Sequence, residues 1–176
     1  MINILKPTLT RNDGIAAILT GVMLVLLFPP FNLTPLIAIA LVPLFLRLRK
    51  DAFRTNAELG FLSGLVFYVG LLQWLHHVTI GGMLALVFYL SSIHTLACAV
   101  VGWSKRFPAW IPLTALVWAA MEYLRSLGPL SFAWGYLGHG LYPNLPMMQA
   151  VYWIGVPGLT FIFAGINATL AEGLSY

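Results

Sequence analysis

Residues 118–140 read WAAMEYLRSLGPLSFAWGYLGHG, which sets Glu122 and Arg125 at the end of an apolar run and follows them with an aromatic, glycine-rich stretch without a charge. The chain around them can hardly carry charge at all. Of its 176 residues, 60% are hydrophobic and 8% charged, against roughly 25% charged in soluble domains. Mean hydropathy is +0.90. Such a chain cannot cover itself with a water-facing surface, so it reads as an all-α polytopic membrane protein, and no nucleic-acid partner is expected. Ionisable groups at membrane depth are costly and usually face a protein interior or a water-filled cavity. Spaced i, i+3, Glu122 and Arg125 share a helix face. Two readings stay open. The pair either ends a helix at the membrane surface or floors an outward-facing site where Arg125 meets a lipid phosphate.

Working outward, six apolar runs fall at about 14–31, 33–48, 57–77, 82–103, 110–127 and 147–171. A crossing helix needs about 17–25 residues, so the first, second and fifth runs are short and need little tilt or snorkelling arginines. The first follows Asn12-Asp13, stops at Pro29-Pro30 and has no small-residue cleavage site, so it reads as a signal anchor. Thr34-Pro35 restarts a helix, making the first two runs a hairpin. Eight basic residues, Lys6, Arg11, Arg47, Arg49, Lys50, Arg54, Lys105 and Arg106, fall on one side of this alternation, and Arg125 alone on the other. The positive-inside bias puts the eight in the cytoplasm, with both termini. The expectation is one domain, 1–176, folded as a six-helix transmembrane bundle with an interfacial aromatic loop.

Within the bundle, Gly60 and Gly64 stand one turn apart and allow close helix contact. Pro157, between Gly155 and Gly158, should kink or break the last helix. Cys98 sits mid-helix, where apolar surroundings disfavour a thiolate, and reads as a packing residue. The adjacent His76 and His77 and the isolated His94 lack metal-ligand spacing. They read as surface anchors and an interhelical hydrogen bond, and neither metal nor cofactor is expected. Residues 128–147 spread Phe132, Trp134, Tyr136 and Tyr142 over some twenty uncharged positions. That is wider than an aromatic belt, and fits a segment in the outer membrane surface covering a lipid-accessible cleft.

Several blocks resemble the N-terminal membrane domain of the apolipoprotein N-acyltransferases. They are FPPFNLTPLIAIALVPLF (28–45), GFLSGLVFYVGLLQWL (60–75) followed by IGGM, WAAMEYLRS (118–126), FAWGYLGH (132–139) and GVPGLTFIFAGINATL (155–170). The likeness implies a bacterial inner-membrane protein supporting acyl transfer from a phospholipid to the α-amino group of a lipoprotein's diacylglyceryl cysteine. In that family the chemistry belongs to a Glu-Lys-Cys triad on a separate nitrilase-like domain, a two-step acyl transfer through a thioester. Residues 1–176 hold no such triad, so no catalytic residue is expected in them and they should be inactive alone. A missing or separate nitrilase-like domain would be the partner. Glu122, Arg125, Trp134, Tyr136 and His139 are then the substrate- or lipid-facing candidates, although Ala133 and Gly138-His139-Gly140 depart from the family's usual residues. A non-catalytic scaffold or small transporter is the alternative; a transporter should show an internal repeat or paired broken helices, and only Pro157 suggests a break.

Overall fold

The computed structural model describes residues 9–175, which are helical with no strand among them. Seven α-helices follow in order: α1 (Arg11–Leu26), α2 (Val42–Arg47), α3 (Phe53–Leu71), α4 (Ile80–Ser104), α5 (Trp110–Leu124), α6 (Leu145–Met148) and α7 (Val151–Gly173). Three 3-10 turns, Thr34–Ala38, Gln73–His77 and Leu137–Leu141, join them. Two helices, α4 and α7, are individually long and apolar enough to cross a membrane. Lys6 lies outside the described residues.

Successive elements run back along one another. Gly60 of α3 faces Cys98 and Thr95 of α4, and Gly64 faces His94 and Ser91, an antiparallel match. A Cβ on Gly60 would lie 2.7 Å from the Cys98 Cβ, so only glycine permits the approach. The rings of His94 (α4) and Trp118 (α5) stand 5.0 Å apart, and Glu122 of α5 meets Thr160 of α7. Many large apolar side chains face outward along the helices, among them Ile18, Val22, Leu84, Phe88, Leu116 and Ile162. Helices that are apolar on both inner and outer faces suit lipid rather than water.

The second apolar run departs from the expected single helix. It breaks between the 3-10 turn at Thr34–Ala38 and α2. Pro43 is the reason: it lacks the N–H that would bond the Ile39 carbonyl, and its ring crowds that carbonyl. The run still returns along α1, because Leu33 donates to the Leu26 carbonyl at one end while Arg47 and Arg49 reach Asp13 at the other. Neighbouring side chains take up the backbone groups that the break frees. Asn167 accepts from the Leu41 N–H at 2.8 Å and donates to the carbonyls of Ile37 (2.8 Å) and Phe163 (2.7 Å). Thr20 accepts from Leu44 N–H, and Lys105 donates to the Phe45 carbonyl. Irregular backbone inside an apolar bundle requires such partners.

The last run divides into short α6 and long α7, and α7 itself bends at Gly155, whose φ of 66° and ψ of 173° are not helical. The bend lies just before Pro157, in a backbone region essentially restricted to glycine.

Candidate functional site

At the end of the bundle where α5 stops, the chain doubles back: Phe132 N–H donates to the Arg125 carbonyl at 2.8 Å. Residues 135–141 then enter the bundle instead of lying across it. Tyr136 is 5% exposed, Leu137 2% and Leu141 fully buried. The expected surface loop is therefore half internal, because the charged residues before it supply partners for its backbone. Glu122 accepts from the Leu137 N–H at 2.8 Å and from the Thr160 hydroxyl at 2.7 Å. Thr160 in turn accepts from the Gly138 N–H at 3.1 Å. Arg125 donates to the Tyr68 hydroxyl at 2.6 Å and to the Gly135 carbonyl at 2.9 Å. Its guanidinium stacks over the Tyr136 ring, 4.7 Å from the centroid. Charge-assisted bonds of this kind are about twice as strong as neutral ones.

Neither open reading of the pair describes this arrangement fully. Glu122 and Arg125 form no direct ion pair among the described residues. Each instead reaches across to the loop, and Arg125 is only 3% exposed. Together they clamp residues 135–138 onto α3, α5 and α7.

The clamp sets the surroundings of the remaining candidates. His139 stacks on Tyr136 with centroids 4.9 Å apart and planes 10° from parallel, and its Nδ1 accepts from the Tyr136 N–H. Trp134 is 54% exposed. Trp134 and His139 share an apolar recess of about 240 Å³ with Phe28, Pro29, Gly135, Tyr142 and Met148. All five candidates thus belong to one region: three in or on the clamp, two at the mouth of the recess. Sequence reasoning missed Tyr68 and Thr160, which lie in apolar helices without any spacing signal, and Phe28 and Pro29, read only as a helix end. His94 bonds Ser63 across α3 and α4 at 3.2 Å. Cys98 is fully buried against Gly60, and His76 and His77 sit on the exposed 3-10 turn.

The model of the apolipoprotein N-acyltransferase N-terminal domain matches residues 20–169. The chain belongs to the apolipoprotein N-acyltransferase family. The enzyme of that name from Geobacter metallireducens is 33% identical over 172 residues, covering 91% of this chain and 33% of the relative. Those of Nitrosomonas europaea (31% identical) and Gloeobacter violaceus (30%) cover 89% and 92% of this chain and 34% of each relative. The chain spans about a third of the length of these relatives. The matched N-terminal domain contains the whole clamp, from Tyr68 to Thr160, and the recess beside it.

Proposed function

We propose that this chain is the membrane domain of an apolipoprotein N-acyltransferase, and that the clamped loop presents an apolar recess to lipid substrates. In this reading the six runs span the inner membrane with the N-terminus in the cytoplasm, and the loop lies at the outer face. A phospholipid donates an acyl chain and a diacylglyceryl lipoprotein accepts it. The catalytic triad belongs to a nitrilase-like domain on the same side as the loop. The observation that carries the reading is the recess beside the clamp. It is lined almost wholly by apolar side chains, it is about 240 Å³ in volume, and Trp134 and His139 stand at its edge. An apolar lining with a few placed polar groups is the usual form of a ligand site. A transporter gains a second break from the split second run, but the chain has no internal repeat, and the family match weighs against it.

The test is acyl transfer in proteoliposomes by the chain joined to a nitrilase-like domain. At matched membrane expression, Met148→Trp, which fills the recess, and Trp134→Ala should each lower the rate at least tenfold. Lys50→Ala at the opposite end should leave it unchanged. Equal rates for all three variants would remove the recess from the reaction.

A further inference from the structure

Two nitrogens of the Arg125 guanidinium have acceptors, in Tyr68 and Gly135, but Nε has none. Arg125 is 3% exposed, and a buried donor without an acceptor is costly, more so when it is charged. Beside it is a cavity of about 20 Å³. Ile93, Ala97 and Met121 give it a partly apolar wall, into which Tyr68, His94, Trp118, Glu122 and Arg125 bring polar atoms. A site for water needs about 10–15 Å³ and two to four polar partners. This cavity satisfies both conditions and is too small for a lipid headgroup. Apolar cavities of larger size stay dry, but this one has Tyr68, His94, Glu122 and Arg125 in its wall.

We infer that the cavity binds one ordered water, which accepts from Arg125 Nε and donates to the Glu122 carboxylate. The carboxylate has room for it: Leu137 N–H, the Thr160 hydroxyl and the Trp118 side chain take three of its acceptor sites, and an ionised carboxylate offers about four. The water explains how two opposite charges one helical turn apart sit in a bundle without touching. It makes them one unit, anchored on both sides of the loop. The inference does not rest on the acyl-transfer reading.

The experiment uses the full chain in lipid nanodiscs, labelled with ¹⁵N and ¹³C at arginine. The Arg125 Hε resonance is assigned by through-bond correlation to its own backbone. The expected result is a cross-peak between Hε and water that survives in a perdeuterated lipid bilayer. Ala97→Ser, which places a hydroxyl in the cavity, should displace the water and remove the cross-peak while the remaining arginine signals keep their positions. An Hε that contacts only protein or lipid protons overturns the inference. So does a water cross-peak unchanged by Ala97→Ser, since that water would lie elsewhere. If Ala97→Ser misfolds, a density map of the unmodified protein at about 2 Å takes its place, and an empty cavity there has the same overturning force.

Discussion

Arg125 is the residue on which the loop end of the bundle turns, and its worth separates the two readings of the sequence. An exposed i, i+3 pair contributes about 0.2–0.5 kcal/mol. Removing a buried cation leaves Glu122 uncompensated and strips donors from Tyr68 and Gly135, each unmet group costing about 1–3 kcal/mol. Arg125→Ala is therefore expected to lose about 3 kcal/mol or more in detergent unfolding, with Arg125→Lys between it and the parent. A loss below about 0.5 kcal/mol would return the pair to an exposed helix end. At the other end, Asp13 lies just before the first apolar run and accepts from Thr10, Arg47 and Arg49. Burial acts to raise its carboxyl, but the Thr10 and Arg47 hydrogen bonds outweigh burial and hold it down at about 2. The folded value lies below the unfolded one, so Asp13 stabilises the fold fully above about pH 4 and loses that contribution as pH falls toward 2. Melting curves should show Asp13→Asn below the parent at about pH 6 and meeting it near about pH 2. A constant gap between the two would mean that the Asp13 proton plays no part.

Among the elements, the broken second run depends most on its neighbours. Its short pieces cannot hold themselves as helices, since isolated segments below about 12 residues are marginal even in favourable sequences. Asn167 joins them to α7 with two hydrogen bonds, to Leu41 and Ile37. Asn167→Leu keeps the branched shape but leaves Leu41 N–H and the Ile37 carbonyl unmet. It should cost at least about 2 kcal/mol, and thermal unfolding would read it. If packing alone mattered, leucine would be tolerated as well as asparagine. The expectation of a single helix passed over Pro43, which stands well inside the run and which a continuous helix cannot accommodate. What repaired the break was not legible. Asn167 lies 126 residues from Leu41, in a helix whose pattern is simply apolar.

For the whole molecule, the basic residues and their partners gather at one end of the bundle, in the Asp13–Arg47–Arg49, Arg54–Glu58 and Asp51–Arg106 contacts. Glu122 and Arg125 stand at the other. On the proposed topology, a cysteine probe placed at Asn144 in a Cys98→Ala background labels from outside intact cells, and one at Lys50 does not. The reverse pattern would invert the orientation. Composition pointed to a protein of membrane character, because few charges cannot hydrate a surface, and the length of the apolar runs pointed to helices. The sequence blocks pointed to its family through their order, which runs along nearly the whole chain. The candidates Glu122, Arg125, Trp134, Tyr136 and His139 stood out as charges and aromatics in a context that otherwise lacks them. Only the tertiary structure decided what the two charges bind. Their partners are a tyrosine 57 residues upstream, a threonine 38 downstream and backbone groups of the loop itself. Hydrophobic periodicity records which residues prefer apolar surroundings. It is blind to hydrogen bonds between distant helices, and those bonds are what draw the loop inward.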